Sequence, residues 1–478
     1  MFIAILQLRH TIQQDGHLYL FCAFVLLTWL VWLAKVVLSR GYRPWTEPHE
    51  TTTSVVIPVV DEPLDLFREV LQRIVDQEPT ETIVVINGRR NPDLESVCEE
   101  FAPAVQWTWT PVAGKRNAVM VGTEASVGDV VVLVDSDTVW TDGTLPELVK
   151  PFKDPTVGGV TTRQRILDPT RTFLTRWADW LENTRVLYAM PAQSRLGAVG
   201  CLPGRTIAFR RAVLVDSMRD FMEQKFLGVF MEVSDDRTLT NLALKRGYKT
   251  VYQSTSLVYT DAPTRLGKMM KQQLRWSRGS QYNTLRMLPW MLGHTPVLAF
   301  FFVSDIVMPF LLLAVVTAWV IRYVTHTGEN LYAGLLDLGP TEHAIPAIVV
   351  LTIVMSTLSM SLRQLRHIEE RPVDLLLMPL YILFSSLFLM PLRMYGFLRL
   401  GHVGGWGTRA DAYSADTETE TPLEPHGLSG STQVAARVET ATLRSPVNTT
   451  GDPRALVPYL VASAAVLLGV LYDAQLLP

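Results

Sequence analysis

Asp129-Val-Val-Val-Leu-Val-Asp-Ser-Asp137 places five consecutive branched apolar residues in front of two carboxylates. An unbroken apolar run of this length reads as a strand covered on both faces, because a strand with one wet face alternates polar and apolar positions. Two comparable runs precede it, Ser54-Val-Val-Ile-Pro-Val-Val60 and Glu81-Thr-Ile-Val-Val-Ile-Asn87, with a helix-like stretch from Leu64 to Val75 between them. Such strands alternating with helices imply an α/β domain on a mixed, mostly parallel sheet. Ligands on these sheets bind beyond the carboxyl ends of the strands. The polar groups that fall there are Asp61-Glu62, Asn87-Gly88 and Asp135-Ser-Asp137.

Outside this domain the chain turns apolar. Leu18–Leu38 is long enough to cross a bilayer, and it starts too late and lacks the small-residue exit of a cleavable signal peptide. Pro296–Ile321, Ala344–Leu362 and Leu456–Tyr472 are further spanning candidates. Leu375–Met390 is shorter, contains Pro379, precedes Pro391 and has arginines at both ends, so it is expected to lie at the interface or re-enter without crossing. The chain thus divides into an N-terminal transmembrane helix (1–43), the α/β domain (44–262), an amphipathic interface helix (263–295) and a transmembrane or re-entrant region (296–411). A Thr-, Glu-, Pro- and Ser-rich linker expected to be disordered (412–454) and a C-terminal transmembrane helix (455–478) follow. The formal net charge of -3 argues against a nucleic-acid binder that works through a broadly basic surface. Cys22, Cys98 and Cys201 lie far apart, form no metal-type pair and read as free thiols.

Five clusters could carry chemistry. Asp135 and Asp137, two apart at a strand end, can both turn towards one hard cation, and Mg²⁺ takes one or two protein carboxylates beside phosphate oxygens and water. Gly114-Lys115-Arg116-Asn117 sets two cations and a glycine ahead of a helix, which suits a diphosphate as well as it suits a solvated turn. Asp235-Asp236 opens another helix, where carboxylates cap, yet one of them could also take a proton from a hydroxyl. Gln272, Arg275 and Trp276 share one side of a helical stretch from Pro263 to Met291, where an indole face can stack on a sugar ring. The same helix, with Lys268, Lys271, Arg278 and Arg286, also fits a membrane surface. Gly405-Trp-Gly-Thr-Arg409 offers an aromatic, a hydroxyl and a guanidinium on a glycine-flanked loop that could close over a nucleotide.

In this order, the clusters resemble the processive family 2 glycosyltransferases, and most closely the hyaluronan synthases. The resemblance runs from about Ser54 to Arg409 and is densest at Ser234-Asp-Asp-Arg-Thr-Leu-Thr-Asn241, Gly247–Thr255, Lys271-Gln-Gln-Leu-Arg-Trp276 and Trp406-Gly-Thr-Arg409. It implies a GT-A catalytic domain fused to an α-helical transmembrane region with interfacial helices. It further implies an inverting transfer from a UDP-sugar with Mg²⁺ or Mn²⁺, and a growing polysaccharide carried outward through the protein's own channel. By resemblance Asp61 and Asn87 lie near the uridine, Lys115 and Asp135 face the diphosphate, and Asp137 holds the metal. Asp236, beside Asp235, is the general base. Gln272, Arg275 and Trp276 shape the acceptor and diphosphate site, and Trp406, Thr408 and Arg409 gate it. An integral plasma-membrane protein with its catalytic domain in the cytosol is expected, since Arg363, Arg366, Arg371, Arg393 and Arg399 favour the inside. Three departures stand out: Ser234 where hyaluronan synthases usually have glycine, Ser277-Arg-Gly-Ser280 nearer to cellulose-type relatives, and a different Gly200-Cys-Leu-Pro-Gly-Arg-Thr206 loop. A homopolymer synthase of the cellulose or chitin kind, and a non-processive transferase that adds one sugar to a lipid carrier, are the alternatives.

Overall fold

A computed structural model describes residues 16–231, 233–325, 341–402, 429–430 and 453–473. The three apolar runs form strands as expected: β1 (Thr53–Val59), β2 (Glu81–Asn87) and, after β3 (Val105–Thr110), β4 (Val130–Val134). Further along come β5 (Thr138–Trp140), β6 (Val157–Ile166), β7 (Thr206–Arg210), the two-residue β8 (Lys225–Phe226) and β9 (Val229–Phe230), and β10 (Lys249–Thr260). The main sheet runs β3-β2-β1-β4-β7-β6-β10-β5, with β3, β2, β1 and β4 mutually parallel and β7 antiparallel to both neighbours. A short β11 (Ser429–Gly430) adds antiparallel to β3. The expected disordered linker otherwise falls outside the described residues, but at this point it is a strand on the sheet edge.

Alternate residues of the apolar runs serve opposite cores, which is why the runs do not alternate apolar with polar positions. Val55, Ile57, Val59, Val84, Val132 and Val134 pack on the Leu64–Val75 side, with Phe67, Leu71 and Ile74. Val56, Ile83, Val85, Val131 and Leu133 face the Lys115–Ala125 helix, through Ala118 and Val121. Both layers expose the carboxyl ends of β1, β2 and β4 along one edge.

The apolar helices attach to this domain at defined places. By length and composition, Phe21–Arg40, Pro296–Thr317 and Asp374–Leu398 could each cross a membrane. The helices Gly16–Arg40 and Pro296–Thr325 meet where Lys35 lies over the Phe301 ring at 5.4 Å and Thr28 reaches Met308. Thr341–Arg363 and Val457–Asp473 are also helical.

The segment expected to end at Met390 runs on to Leu398, 25 residues without a break. Pro379 and Pro391 do not stop it. A π-helical turn over Ser385–Leu389 precedes Pro391 and absorbs the hydrogen bond that a proline cannot make. The same device recurs at Arg185–Ala189, ahead of Pro191.

Both ends of this helix are fastened to the catalytic side. At the start, Asp374 takes Arg176 Nε at 2.6 Å and His367 Nε2 at 2.7 Å, and Tyr381 stacks on Trp180 at 5.3 Å. At the end, Gln281 Nε2 donates to the Arg393 carbonyl at 2.8 Å, and Leu400 packs with Val229, Met231, Val233 and Tyr282.

Behind the Asp374 end, Asp179 takes Arg165 through both nitrogens at 3.0 Å and Arg371 Nε at 3.0 Å, with its own side chain 1% exposed. Removing that carboxylate takes away the pair of Arg371 and one of the two that Arg165 makes, the other being with Glu370 at 3.0 Å. Asp179→Ala is therefore expected to lower stability by about 3–5 kcal/mol. Arg163→Ala, which loses a 30% exposed pair with Glu370, should cost under about 1 kcal/mol. Thermal denaturation of the detergent-solubilised variants compares them, and equal shifts would refute the role given to Asp179.

Candidate active site

Two helices deliver the central groups. The Lys115–Ala125 helix begins at Gly114, whose amide donates to Asn87 Oδ1 at 3.1 Å, while Asn87 Nδ2 donates to the Val59 carbonyl at 3.1 Å. Asn87 is buried and links the ends of β1 and β2 to this helix start. Its amide thus holds the loop that presents Lys115. Asp61, just past β1, is exposed at the same edge.

Lys115 Nζ donates to Asp135 Oδ1. Burial would lower the Lys115 pKa, but Asp135, with Asp235 and Asp236 further off, raises it above the ordinary lysine value. It is a fixed cation. Asp135 and Asp137 are both part-exposed and flank a buried Ser136 in the turn after β4. Ser136 Oγ donates to Glu62 Oε1 at 2.8 Å, which ties this turn to the loop after β1. Among the described residues no three His, Cys, Asp or Glu side chains gather into a self-sufficient metal site. A two-carboxylate edge beside a lysine fits a hard cation that shares its shell with a diphosphate.

The Asp235–Lys245 helix supplies the other half. Its first two residues diverge. Asp235 turns inward and accepts from Arg116 Nε at 2.6 Å, the two side chains being 8% and 5% exposed. Arg116 also donates to the Phe221 carbonyl at 2.9 Å and lies over the Phe221 and Phe230 rings. Asp235, expected beside the reacting groups, is therefore engaged in the interior, because a helix start cannot aim adjacent side chains at one point. Asp236 faces the cleft. Its Oδ2 accepts from the Gly204 amide at 3.2 Å and its Oδ1 from the Arg237 amide at 2.8 Å. A Cβ at Gly204 would lie 3.3 Å from Asp236 and 3.5 Å from Lys115 Nζ, so these three converge on one small space.

The Leu266–His294 helix carries Gln272 and Arg275, both half-buried, and Trp276, 38% exposed. Arg205 lies over the Trp276 ring at 5.7 Å and is itself held by Glu182 at 3.2 Å and Gln164 at 3.3 Å. The sequence pattern puts Glu62 at the ligand edge beside Asp61 and Arg205 in the Gly200–Thr206 loop, but it gives neither of them an individual role. Glu182 lies far from every motif and carries no local signal. Cys201, in the same loop, lies 3.9 Å from Asp236 Oδ2, and burial, with Asp236 adding, pushes its thiol up to about 12, so it stays protonated. Trp406, Thr408 and Arg409, expected to gate the site, lie outside the described residues.

Arg237 binds this site to the apolar helices. It donates to Ser280 and, at 2.7 Å, to Thr284 of the interface helix, and lies 3.9 Å from the Phe302 ring centre. Phe302 in turn sits on Gly200, where a Cβ would overlap the ring.

Comparison with known proteins identifies the family and the fold. Residues 49–279 match the family model described as glycosyltransferase like family 2. The chain is 30% identical over 402 residues to an N-acetylglucosaminyltransferase of Rhizobium meliloti, covering 80% of this chain and 88% of that protein. It is 29% identical over 396 residues to the hyaluronan synthase of Streptococcus pyogenes, covering 80% and 89%. Among solved structures, a mannosyltransferase from Pyrobaculum calidifontis, in complex with GDP-Man and Mn2+, shares the fold with a TM-score of 0.56 at 18% identity, over 81% of this chain and 98% of that one. The chain therefore belongs to glycosyltransferase family 2, with a GT-A fold and a sequence similar to the hyaluronan synthases.

Proposed function

We propose that the protein is a membrane-embedded, processive, inverting transferase that builds a polysaccharide from UDP-sugars and passes it outward between its own helices. The observation that carries this reading is the convergence of Lys115, Gly204 and Asp236, with Trp276 alongside on the Arg205 face. Lys115 and the amides at its helix start supply positive charge to a diphosphate. Asp137, with Asp135, would hold Mg²⁺ or Mn²⁺, which when bound neutralises charge developing on the departing diphosphate. Asp236 takes the proton of the acceptor hydroxyl. Trp276 offers an indole surface to the acceptor sugar, steadied by Arg205.

The contact of Phe302 with Gly200 sets the Pro296–Thr325 helix against the 200–206 loop, which in this reading takes the acceptor, and that helix would line the exit path. Likeness to an N-acetylglucosaminyltransferase favours a homopolymer as the second reading. Product formed from single UDP-sugars, as against pairs of them, separates a homopolymer from a hyaluronan-like copolymer.

Asp236→Asn is expected to abolish transfer while UDP affinity stays within several-fold of wild type, since the proton acceptor is lost and the nucleotide contacts remain. Asp137→Ala is expected to lose both transfer and metal-dependent UDP binding. Polymer synthesis by the first variant, or chelator-resistant synthesis by the native protein, would sink the corresponding assignment.

The Asp374–Leu398 helix lies along the catalytic side in this reading and does not cross. The support for this is that both ends are fastened, Asp374 to Arg176 of the catalytic domain and the Arg393 carbonyl to Gln281 of the interface helix, so the roughly 36 Å that 25 residues span would run along these elements. Cysteines placed at Val373 and Thr408, with the native cysteines replaced, should label from the cytosolic side alone. Labelling from opposite sides would overturn this topology.

A further inference from the structure

Ser234 occupies a conformation that its side chain should avoid. Its φ is +63°, and it is one of three non-glycine residues with positive φ among those described. A Cβ is disfavoured there, so glycine is the default residue. The serine nevertheless places its Oγ 3.2 Å from Asp236 Oδ1, as a donor to the carboxylate. Room for it comes from the facing interface helix, because a Cβ at Gly279 would overlap Ser234 Cβ and sit 3.0 Å from its Oγ. Two positions where the sequence departs from the hyaluronan synthase pattern, Ser234 and the 277–280 stretch, thus meet in one contact.

The other close donors to Asp236 differ in kind from this hydroxyl. The Gly204 and Arg237 amides can donate but cannot accept. A serine hydroxyl does both and rotates between them. It can donate to the carboxylate before transfer and accept from the carboxylic acid afterwards, so it can hold Asp236 in place through both protonation states. The Cys201 thiol, at 3.9 Å, is a weak substitute.

We propose that Ser234, seated by Gly279, is a positioning residue that keeps Asp236 aligned with the acceptor hydroxyl across its protonation cycle. This rests on the reading of Asp236 as the base. Ser234→Gly removes the hydroxyl and relieves the backbone, so it should keep or raise the melting temperature while turnover falls about tenfold, the loss of one hydrogen bond to a charged group. The KM for the sugar nucleotide should stay within about twofold, since the hydroxyl touches the base and not the donor site. Gly279→Ala should also lower turnover by displacing Ser234, and the double variant should be no worse than Ser234→Gly alone, because the two changes remove one interaction. Turnover of Ser234→Gly within twofold of wild type, with Asp236→Asn inactive, overturns this inference and leaves the base intact. An active Asp236→Asn overturns the base assignment itself.

Discussion

The ion pair of Arg116 with Asp235 fixes the geometry of everything around it. Each partner sits next in the chain to a residue of the cleft: Lys115 precedes Arg116, and Asp236 follows Asp235. The inner pair, almost fully buried, locks the starts of two helices together, and the outer residues are carried into register by it. Such a pair adds little net stability after desolvation, but its geometry is demanding, and breaking it leaves a buried charge unanswered. It therefore serves alignment. The Phe221 and Phe230 rings lie against the guanidinium, and the Phe221 carbonyl takes another of its protons.

A second set of contacts extends that alignment to the apolar helices. Arg237, the next residue after Asp236, reaches Ser280 and Thr284 and lies against Phe302. Three consecutive residues, Asp235, Asp236 and Arg237, thus point respectively to the Lys115–Ala125 helix, the cleft and the apolar helices. A helix start is suited to this because successive side chains leave it about 100° apart, at 3.6 residues per turn.

The parallel half of the sheet was legible because its strands are unbroken apolar runs, and β2 and the Leu64–Val75 helix fall where the pattern put them. The carboxylates at strand ends were legible for the same reason, since a run that ends on Asp135-Ser-Asp137 can point nowhere but the ligand edge. Other features left no trace in local sequence. Arg205 and Trp276 are 71 positions apart, and nothing about either residue announces that they stack. The different fates of Asp235 and Asp236 depend on Arg116 approaching from another element. The length of the Asp374–Leu398 helix was misjudged because prolines read as breaks, whereas a π turn accommodates Pro391.

The seat of Phe302 on Gly200 ties the history of two distant parts of the chain. Any side chain at position 200 would occupy the space of the ring, and a smaller residue at position 302 would leave a void against the acceptor loop. Neither position can drift by itself, so lineages should exchange them in compensating pairs. The 200–206 loop therefore cannot be transplanted between related enzymes as an isolated cassette. The first turns of the Pro296–Thr325 helix must travel with it.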